Sequence, residues 1–582
     1  MSNSETLIQN TQHAFLVAWG WFAEQIGLIQ HLQAVALKQK HYHHRPQTKV
    51  LEFLVAILAG LQHLQEISLA AHPLEKDQAV AQAWGQPAWA DYSGVSRTLS
   101  ALSWEEVKRI VQALEQVSHP YLTAEVQVLR TAGNRVRLDG DLTGIPVSCT
   151  SQTYPHAAFG HMDDDIRLGY QAGVVSLESP TYGRLWLSVA HHPGDTVSCT
   201  QAEALVLAAE ARLRLRPRRR TELLRQRIHA YEQQVAQTDE RLERQKQAVK
   251  QAKQQLAEVE QQVQEYQLQV DELEEDYQSH QRTERPTSRL ALARKRLQTV
   301  VKRAASRTSL CKQAQRRLDK TTAQWSYQQA ELIALQQRLL RFEQDNATNA
   351  EAIEAEFRLD AGFGTYENVA LLIEMGYDLY TKPHNHQTVA YLKQQVDDTT
   401  AWTRVGANAE LVAWPTLHLK HCLYPLDVAL ERFYTGNTLK HSALFHFGSQ
   451  PVTEQLPGWF EQYNGRQTIE AGIKESKQVF YLHHLKVRSE PAIYLQEAFV
   501  LFAANFIRWA ARWLEGQEQP VKNALNVRKL GVKRQVHVAA HVSAQVIQDS
   551  GGKLLKFSEQ SAFAGQVLCI AGDHLSSQKA NF

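Results

Sequence analysis

The sequence predicts a mixed α/β protein, α+β in the order of its elements, with a helical N-terminal lobe and a long antiparallel coiled-coil hairpin. Three observations carry that expectation. Apolar residues recur at helical spacing through most of residues 1 to 130, as in Leu51, Phe53, Leu54, Ile57, Leu58, Leu61 and Leu64. Short alternating runs broken by Gly and Pro follow, before and after residue 170. From about Arg216 to Asp345 the composition shifts to Gln, Lys, Arg, Glu and Leu, and apolar residues take up a heptad seam.

The 582 residues exceed one ordinary core. A formal net charge of +2 hides 63 basic and 61 acidic residues, so any nucleic-acid surface has to come from local clustering. The cysteines, Cys149, Cys199, Cys311, Cys422 and Cys569, show no CxxC spacing, which argues against structural zinc and suits a reducing compartment. No secretory signal opens the sequence and no uninterrupted apolar run reaches membrane-spanning length. The expectation is a soluble cytoplasmic protein that meets no membrane.

In chain order, a helix is expected to start at Ser100 to Ser103 and run through Trp104 and Val107 to Leu114. His41 to Arg45 reads as a solvated turn. The run Arg135-Val-Arg-Leu-Asp139-Gly-Asp141-Leu-Thr143-Gly-Ile-Pro alternates and then stops at glycines and a proline, which predicts a strand ending in a turn. Strands are expected again at Leu168 to Leu177 and Gly183 to Ala190, an antiparallel meander. Asp163, Asp164 and Asp165 read as a polar loop tip, since consecutive carboxylates on a strand point to opposite faces. His191 and His192 receive no chemical role.

One seam runs through Leu224, Ile228, Val235, Leu242, Val249, Val259 and Val270, a second through Leu290, Leu297, Val301, Leu318, Trp325, Leu335 and Phe342. Ser279 to Ser288, with Pro286, breaks them. Two such helices fold back most simply as a hairpin, each arm about 80 to 90 Å long. Its role stays open between dimerisation or architecture and a DNA-embracing arm with Arg212, Arg214, Arg216, Arg218, Arg219 and Arg220 at its root.

Ala355 to Asp360 then reads as a short strand, with Gly362 and Gly364 turning into a helix over Glu367 to Met375 and a strand over Gly376 to Lys382. Further strand-like runs are Ala401 to Val405, Leu411 to Trp414, Cys422 to Leu426 and Ser442 to Phe447. A helix is expected from Arg466, and an apolar helix over Tyr494 to Trp513, with Asn505 and Arg508 too polar for a bilayer. The tail carries Lys522, Arg528, Lys529, Lys533 and Arg534 as a basic patch.

On the helix from Arg466, the residues Arg466, Glu470 and Lys477 are four and seven positions apart and share a face. By spacing alone this is ordinary intrahelical salt bridging. The whole string, Tyr463-x2-Arg466-x3-Glu470-x6-Lys477, resembles the corresponding block of bacterial insertion-sequence transposases of the DDE type. That resemblance implies an RNase H-like mixed sheet flanked by helices, with the hairpin inserted between the first and second catalytic carboxylates. Asp360, in Arg358-Leu-Asp360-Ala-Gly-Phe, matches the family's second carboxylate. Asp141, followed two positions later by Thr143, matches the first, with Asp139 as the alternative.

The family's chemistry then implies that Asp141, Asp360 and Glu470 bind two Mg²⁺ ions, with Mn²⁺ as a substitute, for phosphodiester cleavage and strand transfer. Tyr463, Arg466 and Lys477 would position phosphates, and Arg97, in the block Asp91 to Leu102, together with Arg218, Arg219 and Arg220, would contact DNA. The implied division is a DNA-binding lobe over 1–130, catalytic domain over 131–215, hairpin over 216–345, catalytic domain again over 346–398, a strand-rich insertion over 399–450, the glutamate and packing helices over 451–515, and a basic segment over 516–582. Implied partners are double-stranded DNA, as transposon ends and target, and a second copy in a homodimer on DNA, in a bacterial cytoplasm and at the nucleoid when bound. Trp402 and Trp414 are candidates for stacking on a flipped base, against a plain core role. The alternatives are a standalone metal-dependent nuclease on the same fold and a coiled-coil architectural protein whose carboxylates are idle.

Overall fold

A computed structural model describes residues 7–39, 43–150, 152–162, 165–516, 523–549 and 552–571. His41, Tyr42, Asp163, Asp164 and Lys522, weighed above, lie outside them. The chain forms two compact units, one up to Arg218 and from Asn349 onward, the other Arg219–Thr348.

The described part of the first unit opens with a strand, β1 (Leu7–Thr11), in a region expected to be almost wholly helical. Seven helices follow: α1 (Ala14–Gln25), α2 (Leu28–Gln33), α3 (Pro46–Leu58), α4 (Glu66–Leu69), α5 (Gln78–Ala83), α6 (Tyr92–Ser100) and α7 (Trp104–Thr131). Ser103 and Glu106 close a capping box at the start of α7, satisfying two amides that the first helical turn leaves open. Within α3, Phe53, Leu54, Ile57 and Leu58 are buried, the apolar face read from the sequence.

The sheet begins with β2 (Val136–Pro146), β3 (Ala158–Met162), β4 (Asp165–Ser179) and β5 (Gly183–Pro193), followed by α8 (Ala202–Leu213). β2 and β4 are antiparallel, as are β4 and β5. Beyond the second unit, which holds α9 (Thr221–Ser279) and α10 (Arg289–Thr348), the chain returns through β6 (Ala355–Arg358), α11 (Tyr366–Glu374) and β7 (Asp378–Thr381). β6 lies parallel to β2, and β7 parallel to β6.

After α12 (His386–Lys393) come β8 (Thr403–Arg404), β9 (Ala409–Leu417), β10 (Leu426–Thr435) and β11 (Thr438–Phe447). They form an antiparallel meander whose last strand pairs with β7. The segment expected as a strand-rich insertion therefore extends the main sheet to ten strands among the described residues. Cys422 to Pro425, read as part of a strand, is irregular instead. Pro425 offers no amide to a ladder, and the strand starts only at Leu426.

The chain then runs through α13 (Leu456–Asn464), α14 (Gln467–Val479) and α15 (Glu490–Gly516). The polar residues of α15 have specific uses. Asn505 accepts from the Trp186 amide and donates to the Trp186 carbonyl, both at 2.8 Å, beside a register shift between β4 and β5. Arg508 donates to Glu475 of α14 at 2.7 Å. α16 (Val532–His537) leads to β12 (Ala544–Asp549), β13 (Gly552–Phe557) and β14 (Val567–Ala571), which with β1 make a second, four-stranded sheet. The tail read only as a basic segment thus pairs with the first strand of the chain.

The second unit is the hairpin, α9 (Thr221–Ser279) and α10 (Arg289–Thr348), each about 90 Å long. Leu224, Ile228, Val235, Leu242, Val249, Val259 and Val270 are buried along α9, and Leu290, Thr321, Leu335 and Phe342 along α10. Asn346 fastens the base by accepting from the Arg219 amide at 2.8 Å and donating to its carbonyl at 3.0 Å. In the first unit the two chain ends are held likewise, by the Asn349 side chain and the Ile353 amide on the Arg216 carbonyl. Among the described residues no helix is long and apolar enough to cross a membrane, and all five cysteines are free.

Candidate active site

The site grows out of the register between β2 and β6. Asp139 stands beside Arg358 in this parallel pair, and two residues on along the chain come Asp141, still within β2, and Asp360, past the end of β6. Side chains two apart on a strand share a face, so one β2 face carries Arg137, Asp139 and Asp141 in sequence, with Arg135 just before the strand. Each meets opposite charge. Arg135 pairs with Asp378, and Arg137 with Glu356 at 2.9 Å and Glu178 at 3.3 Å. Asp139 receives both arms of Arg358, whose second terminal nitrogen also reaches Glu178 at 2.7 Å.

Asp139 and Arg358 are almost wholly buried, and Arg358 also donates to the Gln462 carbonyl at 3.1 Å, tying the sheet to α13. Burial pushes the Asp139 carboxyl up, while the bidentate guanidinium opposes that shift. Both Asp139 oxygens are used in this way.

Asp141 meets a different cation. Arg466 reaches Asp141 Oδ2 through Nη1 at 3.2 Å and Glu470 Oε1 through Nη2 at 2.5 Å. Arg466 is the residue before α14, and Glu470 lies one turn into that helix, so the spacing of four brings the two side chains together. α14 packs against β2 and β5, where Gly472 lies close to the Arg184 guanidinium. The Asp141 side chain is 14% exposed and that of Arg466 11%, whereas Glu470 is 54% exposed.

Burial pushes the Asp141 carboxyl up to about 7. Arg466 opposes this, and the negative charges of Asp360 and Glu470 reinforce it. Despite its burial, Arg466 is held more firmly protonated than usual by Asp141, Tyr463, Asp360 and Glu470. Tyr463 is buried in an apolar cluster with Trp459, Tyr380 and Leu444, and burial pushes its hydroxyl up to about 12.

Asp360 closes the loop after β6, and its Oδ1 is buried without a hydrogen-bond partner. An unpartnered carboxylate oxygen beside two further carboxylates is a donor set suited to a hard divalent cation. Among the described residues, however, no three acidic, histidine or cysteine side chains are already gathered tightly enough to hold a metal. The Arg466 guanidinium bridges two of the three carboxylates instead.

The other expected contacts are more dispersed. Lys477 lies two turns beyond Glu470 on α14 and is half-buried. Arg97 is exposed on α6, whose cap is the Asp91 side chain on the Gly94 amide. Arg218 is exposed and Arg220 half-buried. Arg219 is buried, pairs with Asp345 at 2.9 Å and lies over the Phe342 ring, so the base of the hairpin occupies it. Trp402 is stacked under Arg432 at 4.2 Å, and Trp414 is half-buried in β9. His191, assigned no role, forms a buried pair with Glu497 at 2.8 Å.

Sequence reasoning missed one cation. Lys382 follows β7, the strand next to the one that leads into Asp360, and its Nζ lies 5.4 Å from the centre of the Tyr463 ring and 3.4 Å from Glu431 Oε2. Its position just past a parallel strand was the available signal.

No protein-family model and no curated protein matches the sequence. Among solved structures, the chain is similar to the cryo-EM structure of a piggyBac transposase synaptic complex with hairpin DNA. The identity is 7%, covering 93% of this chain and 83% of that chain, and the TM-score is 0.34.

Proposed function

We propose that this protein is a DDE transposase, which cleaves DNA at transposon ends and joins the cut strand to a target. The observation that carries the reading is the Arg466 guanidinium bridging Asp141 and Glu470, with the Asp360 charge near enough to act on Asp141. The three carboxylates come from the middle of β2, from the turn after the parallel neighbour β6 and from a helix packed on the sheet. The strand order β5-β4-β2-β6-β7, three antiparallel strands followed by two parallel ones, supports an RNase H-like sheet.

Two bound Mg²⁺ ions would activate the attacking oxygen and stabilise the leaving one. Asp141, Asp360 and Glu470 would hold them. Arg466, Lys477 and Tyr463 would orient the scissile phosphate, and the apolar packing around Tyr463 would keep that side of the site dry. Asp139, engaged with Arg358, takes a structural role in this reading. Synapsis of two ends calls for a homodimer on DNA.

The test is Mg²⁺-dependent cleavage and strand transfer on duplex DNA carrying the element's own ends. Wild type is expected to do both, and Asp141→Asn, Asp360→Asn and Glu470→Gln to do neither while still binding DNA. Cleavage without joining would reduce the reading to a nuclease. Equal cutting by all four proteins would reject the site.

A further inference from the structure

Charge along the hairpin falls into three zones. Nearest the base, 221–243 and 325–348 carry eight acidic and five basic residues. In the outer part, 258–310, nine acidic and nine basic residues balance, and Arg294 bonds to Glu274 and Glu284, both at 2.7 Å. Between them, 244–257 and 311–324 carry Arg244, Lys246, Lys250, Lys253, Lys312, Arg316, Arg317 and Lys320 against Asp319 alone.

The two halves of this band lie side by side. Arg307 bonds to Gln255 at 2.8 Å on the outer side, and Gln336 to Glu232 at 3.5 Å on the inner side, which fixes the antiparallel register between them. Each helix also lines up its cations. Lys246, Lys250 and Lys253 are spaced i, i+4, i+7 on α9, and Lys312, Arg316 and Lys320 i, i+4, i+8 on α10. All eight are exposed. Arg244 and Lys246 have carboxylates of their own helix within 4 Å, and among the described residues no ion pair involves Lys250, Lys253, Lys312, Arg316, Arg317 or Lys320.

We infer that this band is a docking surface for the phosphate backbone of double-stranded DNA. Six unpaired cations on a rigid two-helix strut repel one another, and on a duplex they would neutralise phosphates and release the cations condensed there. A solvated coiled-coil face ordinarily mixes its signs, as the outer part of this hairpin does. The band spans about 20 Å of helix, a length over which a duplex offers on the order of a dozen charges. Such contacts carry no sequence information, so the band would hold any duplex. The choice of DNA rests on the function proposed above, but the band is separate from the carboxylate site and can bind whether or not that site cuts.

The experiment uses the full-length protein and a fluorescein-labelled random-sequence 30-bp duplex DNA, with Kd measured by anisotropy over a salt series. A band variant, Lys250→Gln, Lys253→Gln, Arg316→Gln and Arg317→Gln, is compared with an outer variant, Lys295→Gln, Arg296→Gln, Lys302→Gln and Arg303→Gln. Circular dichroism checks that both keep their helix. The band variant is expected to bind at least tenfold more weakly at 0.1 M salt, with a slope of log K against log salt shallower by about 3; the outer variant should match wild type. Equal losses in both variants, or an unchanged slope in the band variant, overturns the inference. So does a band variant that keeps its DNA affinity but loses self-association in sedimentation, because the acidic residues 258–276 of a second copy would then be the partner. Glu470→Gln separates the two proposals, since it is expected to bind like wild type and to cut nothing. Normal binding by a wild type that does not cut would remove the transposase reading and leave the band.

Discussion

Arg358 closes on both oxygens of Asp139, at 2.6 and 2.8 Å, in a pair almost wholly buried from solvent. Two residues along the same face, Asp141 lies outside that clamp. Asp139→Asn therefore removes the charge that neutralises a buried guanidinium, and is expected to destabilise the protein by about 3 kcal/mol. Urea unfolding measures that loss, and the protein that remains folded should bind Mn²⁺ as wild type does. Loss of Mn²⁺ binding without loss of stability would exchange the roles of the two aspartates.

Arg466 is the counter-charge that Asp141 and Glu470 share. Replacing it leaves the carboxylates facing one another. Arg466→Gln is expected to lower the melting temperature in EDTA by several degrees, and Mn²⁺ should restore more stability to the variant than to wild type. Thermal melts with and without Mn²⁺ test this. Equal Mn²⁺ responses would mean that the guanidinium does not compete for the carboxylates.

Glu52 accepts from the Ala90 amide at 2.9 Å, and its other oxygen is buried without a partner. Burial pushes this carboxyl up to about 9 from its ordinary 4.5. Between those values the folded state retains a proton that the unfolded state releases, so stability falls as pH rises through the window. Glu52→Gln keeps an acceptor for Ala90 and removes the titration. It should match wild type near pH 4.5 and exceed it by on the order of a few kcal/mol at pH 8. Parallel stability curves for the two proteins would contradict the assignment.

Gly364 faces the Lys382 carbonyl so closely that an added methyl group would overlap it. The obstacle is backbone at the end of β7, which cannot swing away. Gly364→Ala is expected to destabilise by about 1–3 kcal/mol and to disturb Asp360 four residues before it. A Tm unchanged within a degree would show that the turn gives way freely.

Period and punctuation made much of this architecture readable. The heptads at Leu224 to Val270 mark a buried seam because that face meets another helix, and Leu138, Phe357 and Leu379 mark strands buried at the centre of the sheet. The block from Tyr463 to Lys477 placed Arg466 and Glu470 on one face because helical spacing is local. What escaped was long-range. Leu7 to Thr11 is a strand because of its pairing with Ala544 to Gln548, more than 500 residues away, and no short window contains that partner. Asp139 and Asp141 likewise look equivalent until Arg358 arrives from 219 residues on.

The asparagine-fastened base of the hairpin also bears on how quickly the protein finds its fold. β2 must meet β6 across 219 positions of chain, and closing so long a loop is slow. α9 and α10 zip together through neighbouring contacts alone, and once they have done so Arg219 to Thr348 no longer counts towards the loop. The entropy of closure falls by roughly 0.8 kcal/mol, about a fourfold gain in rate. The longest detour in the sequence thereby acts as a shortcut for the strands on either side of it.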